Sequence, residues 1–120
     1  MHLMKIITLI FFMLTYATTG FAHSPLKETT PRDGSIIERA PEVLALTFAQ
    51  PVRLTKVKLI HEKDASSQPI DIEITEKAFA ETIKLFPEWQ GKGDYQVEWR
   101  ALASDGHSIN GSFGFSITSE

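Results

Sequence analysis

Three residues set the chemistry that this sequence could do: Asp105, His107 and His23. His107 follows Asp105 with Gly106 between them, so a carboxylate and an imidazole can converge just beyond an aromatic strand. Taken alone, the run Ser104-Asp105-Gly106-His107 is more often a plain polar turn than a ligand pair, because Asp-Gly is a common turn former. His61, near the end of an apolar run and beside Glu62, reads as a partly exposed or locally hydrogen-bonded imidazole.

His23 gains interest from what precedes it. Lys5 is the single charge among the first twenty-two residues, Ile6 to Tyr16 is an apolar run, and Gly20 and Ala22 fall at the two small positions read by a signal peptidase. This pattern predicts a cleaved signal peptide over residues 1–22, with an apolar run too short and isolated to span a bilayer. The expected product is an exported domain over residues 23–120, not embedded in the membrane. Its first residue would be His23, with a free amine as well as an imidazole. Amine and ring Nδ1 together can close a six-membered chelate on a metal, and an α-amino pKa of about 7.7–8.0 lets the amine deprotonate readily. The other reading is a frayed end that happens to begin with histidine.

Composition narrows the partners. Removing Lys5 leaves eleven Lys and Arg against fifteen Asp and Glu, a net charge near −4 with His neutral. The lysines are scattered singly among acids, which argues against nucleic acid. The chain has no Cys, so thiol chemistry is excluded and the core must hold without disulfides. Its three Met residues, at 1, 4 and 13, all lie in the predicted leader, leaving no soft sulfur ligand afterwards.

Short alternating runs must position these residues. Leu44, Leu46 and Phe48 alternate with Val43, Ala45 and Thr47; Leu54 to Ile60 is rich in β-branched and aliphatic residues. Ile70, Ile72 and Ile74 alternate with acids, and Ile83 and Leu85 with Thr82 and Lys84. Val97, Trp99, Ala101 and Ala103 share one face, as do Phe113, Phe115 and Ile117 after Asn110-Gly111. With an opening strand near Leu26 to Thr30, this predicts an all-β domain, an immunoglobulin-like Greek-key β-sandwich of about seven strands. Thr75 to Ala80 and Ile36 to Arg39 suit single helical turns, too short to change the class. Asp64 to Gln68 reads as an exposed turn.

Over the whole of residues 23–120 the sequence resembles the CopC/PcoC family of periplasmic copper proteins. The resemblance rests on His23-Ser24-Pro25-Leu26, Thr30-Pro31-Arg32-Asp33-Gly34, Leu46-Thr47-Phe48, Tyr95-Gln96-Val97-Glu98-Trp99-Arg100, and Ser104-Asp105-Gly106-His107 running through Ser108-Ile109 into an Asn110-Gly111 turn. It implies one Cu(II) per chain, held by His23, Asp105 and His107, in a carrier or buffer for copper homeostasis or resistance. It also implies exchange with a membrane partner of the CopD type. Two departures stand out. A Met-rich Cu(I) site of the kind some members carry has no counterpart here. Where the family often has a Glu near the N-terminal ligand, this chain has Gln50, whose amide can hydrogen-bond but supplies no charge.

Two imidazoles, an amine and a carboxylate suit a tetragonal Cu(II) centre, and copper tops the divalent affinity series for such donors. Zn(II) and Ni(II) remain compatible with the same donors. Two rival readings differ in class. A histidine-brace-like copper oxidative enzyme would share the N-terminal His. Against it stand the small domain, the carboxylate beside His107 and the lack of a run of surface aromatics for docking a polysaccharide. A metal-free immunoglobulin-like interaction module would leave the same residues idle.

Overall fold

The computed structural model describes residues 25–62 and 68–119. Its elements, in chain order, are β1 (Leu26–Thr30), β2 (Ser35–Ile37), β3 (Leu44–Glu62), β4 (Pro69–Asp71), β5 (Ala80–Leu85), β6 (Gly93–Ala103) and β7 (Ser108–Ile117), with no helix among the described residues. The all-β class is present and the strand count is again seven, but two of the expected strands are halves of one and β2 forms where a helical turn was expected.

One strand organises the rest. The two apolar runs read as separate strands, Leu44–Phe48 and Leu54–Ile60, are halves of the 19-residue β3. The first half pairs antiparallel with β1 and β5; the second pairs with β6 and β4. Between them Ala49, Gln50 and Pro51 are all exposed, which breaks the inward–outward alternation and lets the strand pass from one layer to the other. Pro51 lies in this corner, where the β3–β5 register is broken between Thr47 and Val52, so its missing N–H falls outside the regular ladder.

β6 and β7 form a long hairpin, and β2 adds to the outer edge of β7 in parallel. The chain thus switches layers between β1 and β2, capping an edge that would otherwise be open. The inner faces meet in one core containing Leu44, Leu46 and Phe48 of one layer and Val97, Trp99 and Phe113 of the other. Phe48 meets Trp99 edge-on with ring centroids 5.1 Å apart. Trp99 and Phe115 are both core residues, as the alternation requires.

Three local expectations fail, for definable reasons. The Ile70–Ile74 alternation yields only the three-residue β4, although Ile72 is buried and Ile74 packs against the core. This segment follows the edge of β3 from its second half to its first, so it faces the core while leaving the ladder. The single helical turns do not form: Ile36 and Ile37 belong to β2, and residues 75–79 precede β5 without regular structure. Asn110-Gly111 is not a turn but lies within β7, opposite Arg100 and Trp99. Its glycine is needed for space, because a Cβ there would lie 2.7 Å from Trp99 Cζ2. Of the turn expected at Asp64 to Gln68, residues 64–67 lie outside the described residues; Gln68 is exposed.

Gly111→Ala should therefore push the indole off its seat between β7 and Phe48. Overpacking of this kind costs about 1–3 kcal/mol. Urea unfolding followed by tryptophan emission checks this, and an unchanged midpoint would show that the indole has room to move.

Candidate metal centre

The β6–β7 hairpin closes through a three-residue loop, Ser104-Asp105-Gly106. Ala103 N–H donates to His107 O at 2.8 Å, and Gly106 N–H to Ala103 O at 3.0 Å. Gly106 has φ +93°, a left-handed conformation that side-chain-bearing residues rarely adopt. A tight loop ending in such a glycine is a standard three-residue hairpin connection. The Asp-Gly pair thus forms the turn that its sequence suggests, and the same turn brings the carboxylate and the imidazole together.

This loop fixes Asp105 and His107 against each other. The backbone N–H of His107 donates to Asp105 Oδ1 at 3.0 Å, and its ring Nδ1 to Asp105 Oδ2 at 2.8 Å. Since an ionised carboxylate only accepts, Nδ1 must carry the hydrogen, which leaves Nε2 with the free lone pair when the ring is neutral. Each carboxylate oxygen accepts one of these bonds and keeps a further lone pair. Side-chain exposures of 82% for His107 and 64% for Asp105 leave both open to an incoming ion. A carboxylate bonded to one nitrogen of an imidazole, with the other nitrogen free, is the arrangement that orients histidine ligands at metal centres.

The remaining expected residues fall differently. The β1–β3 pairing places Pro25 beside Ala49, whose N–H donates to Pro25 O at 3.0 Å. Gln50 comes next, exposed in the corner, and Val52 pairs with Ala103 at the root of the hairpin loop. Pro25 and Ala103 therefore flank positions only three residues apart on β3, about 10 Å of strand. His23 lies outside the described residues. Among those described, no group of three or more His, Cys, Asp or Glu gathers as a metal cage.

His61 sits at the other end of the sandwich. It pairs with Tyr95, eight residues along β6 from Ala103, about 26 Å at strand spacing. Its Nε2 bonds the Lys92 carbonyl at 2.9 Å, and its ring stacks on Tyr95 at 4.4 Å. It is a locally bonded imidazole, as expected, although more deeply buried. Gly93 is required beside it, because a Cβ there would lie 2.7 Å from Nε2. Burial raises the pKa of the neighbouring Tyr95 phenol.

The loop geometry shifts both titrations. Hydrogen bonds from the His107 backbone and ring hold the Asp105 carboxyl below its usual range, and the bond to Asp105 raises the His107 imidazole. The raised imidazole adds stability below about pH 6.5 that fades as pH rises through its folded pKa. The lowered carboxyl adds stability above about pH 3.9 that fades as pH falls through its folded pKa. The mutual attraction is fullest between those limits, and solvent screens it at this exposure. In metal-free protein, the His107 ring protons should titrate with a midpoint above 6.5, and Asp105→Asn should bring it back. NMR titration measures both, and an unmoved midpoint in the variant would remove the carboxylate as the cause.

Comparison with known proteins accords with this fold. The CopC domain family matches residues 26–118. Copper resistance protein C of Escherichia coli is 28% identical over 109 residues, covering 84% of this chain and 86% of that protein. The copper transport protein CutJ of Bacillus subtilis (strain 168) is 29% identical over 115 residues, 92% of this chain; the chain spans only 21% of the length of CutJ. A crystal structure of PcoC, a methionine-rich copper resistance protein from Escherichia coli, matches with a TM-score of 0.64 and 31% identity, over 80% of this chain and 99% of that one. With the matched segment running from β1 through β7, this chain belongs to the CopC domain family.

Proposed function

We propose that this chain is a periplasmic Cu(II)-binding protein, a carrier or buffer in copper homeostasis or resistance. It binds one ion through the amine and imidazole of a free N-terminal His23 together with Asp105 and His107; because Nε2 lies across the ring from Asp105, the Nδ1–Oδ2 bond opens when carboxylate and ring take up the same ion. The observation that carries the reading is the preset Asp105–His107 pair, exposed on the hairpin loop at the end of the sandwich where β1 begins. Two residues of chain reach at most about 7 Å and a histidine side chain adds several more, enough to span the roughly 10 Å of strand between the Pro25 position and the root of that loop. The family relatives named for copper resistance and copper transport support the choice of ion. The donors support it as well: nitrogen and oxygen ligands without sulfur favour Cu(II) over Cu(I).

PcoC is described as methionine-rich. Here residues 23–120 contain no Met, so a second, Cu(I) site is not part of the proposal. Reduction would weaken the hold of these donors and favour passage to a thiolate or thioether acceptor, such as a membrane partner of the CopD type. Binding and release need no catalytic group, and no enzymatic role is proposed.

Copper titration of protein whose first residue is verified as His23 tests the reading. One Cu(II) should bind tightly, and a chain with one additional residue before His23 should bind far more weakly, since its amine has become an amide. Equal affinity would remove the amine from the site. Because the amine and both imidazoles must lose protons, affinity should fall from about pH 8 to 6. The raised His107 pKa strengthens proton competition in the same direction.

Gln50 borders the same end, and Gln50→Glu should tighten Cu(II). Two unit charges about 5 Å apart at an effective dielectric near 20 interact by roughly 3 kcal/mol, reduced several-fold by exposure. The expected gain is about tenfold or less and falls with added salt. Unchanged affinity with an intact fold would show that position 50 faces away from the ion.

A further inference from the structure

Strand pairing gathers cations that the sequence scatters. On the outer face of the β3–β6–β7 layer, β3 presents Arg53, Lys56 and Lys58, while Arg100 of β6 lies directly beside Lys56. Four of the chain's twelve Lys and Arg thus share one face of a protein whose overall charge is −3. The acids facing them are Glu98 and Asp71, which flank Lys58 from β6 and β4. Neither forms an ion pair: among the described residues the single ion pair is Asp105–His107. Lys56, Lys58 and Arg100, together with Glu98 and with Asn110 and Ser112 of β7, line an open groove of about 400 Å³, three cations against one acid.

The band has a direction. Arg53 pairs with Leu102, next to the root of the Asp105–His107 loop, and the band runs from there to Lys58. Five residues of strand make it about 17 Å long, the span of five residues of extended peptide. At the loop end the Arg53 guanidinium lies 5.5 Å from the ring centroid of the half-exposed Phe79. Arginine and aromatic side chains are both enriched at protein interfaces.

We propose that this face docks an extended acidic segment of a partner protein, with the Asp105–His107 loop at the rim of the contact. The charge pattern selects that occupant, because a cationic band on a net-acidic domain orients the approach of an acidic surface and repels it elsewhere. The groove is open and polar, a shape for a chain lying across strands rather than for an enclosed small molecule. Placing metal exchange at the rim rests on the copper-carrier reading; the docking itself does not.

A synthetic hexaglutamate peptide serves as the probe, titrated into isotope-labelled protein at low salt. Amide shifts should concentrate at residues 53–58 and 98–102. Affinity should fall about tenfold or more in Lys56→Gln/Lys58→Gln/Arg100→Gln, and similarly in the unsubstituted chain as salt rises from about 0.02 M to 0.5 M. Lys84→Gln, on the outer face of the opposite layer, should leave the affinity unchanged, and Arg100→Gln alone should give a smaller loss if the triple variant is unstable. Absence of peptide binding, or binding that ignores these substitutions, overturns the proposal. So does equal binding of inorganic phosphate at the same residues, or recruitment to phosphatidylglycerol vesicles without peptide binding. A parallel Cu(II) titration separates the two readings. Retained copper binding with lost peptide binding in the triple variant supports docking as a separate function, whereas an unsubstituted chain that takes the peptide and no copper removes the carrier reading alone.

Discussion

The corner at Ala49–Pro51 is the constraint on which the rest of the molecule depends. A single strand that serves both layers must turn outward somewhere, and it does so where three successive side chains leave the core. That turn fixes which elements become neighbours. Residues before it hold β1 and β5; residues after it hold β6 and, through β6, the hairpin to β7. The start of β1 and the Asp105–His107 loop consequently meet the same short stretch of β3, although they are some eighty residues apart in sequence. The Phe48–Trp99 contact holds the two layers in register immediately inside this corner.

Much of this was legible in advance, because alternation reports burial directly. Leu44, Leu46 and Phe48, then Val97 and Trp99, then Phe113 and Phe115, are core residues for the reason their spacing suggests. Alternation does not report pairing. It could not tell that Leu44–Phe48 and Leu54–Ile60 belong to one continuous strand, nor that Ile72 would be buried outside a ladder. Asn110-Gly111 misled for a related reason: the dipeptide is a turn signal when judged locally, while here the glycine answers to an indole on the neighbouring strand. The cationic band was invisible in the same way. Lys56 and Lys58 share a face by alternation alone, but Arg100 is over forty residues away in sequence and joins them only through the β3–β6 register.

The site was legible in part. Asp105 and His107 are close in sequence, so a short loop brings them together with little help from the rest of the fold. What the sequence could not supply was the division of labour within the pair. The carboxylate accepts from both the backbone and Nδ1 of His107, so it sets the ring orientation and leaves Nε2 outward. Gly106 makes that arrangement accessible by taking the one backbone conformation in the loop that a side chain would resist.

The same carboxylate sets a limit on the proposed role. By favouring the protonated imidazole, Asp105 makes the proton a stronger competitor for His107 than it would be for an isolated histidine. It also places a negative charge on the same exposed loop, which draws a dication in turn. Both attractions are electrostatic, but the dication carries twice the charge and can engage the amine and second imidazole of His23 at once, whereas a proton occupies a single nitrogen. The balance therefore turns on how many donors reach the ion together. In the proposed carrier, a loop that presets one imidazole nitrogen, with a carboxylate beside it that must first release Nδ1–H to bind the same ion, leaves the capture of Cu(II) dependent on the free N-terminus and makes its release sensitive to acid and to reduction.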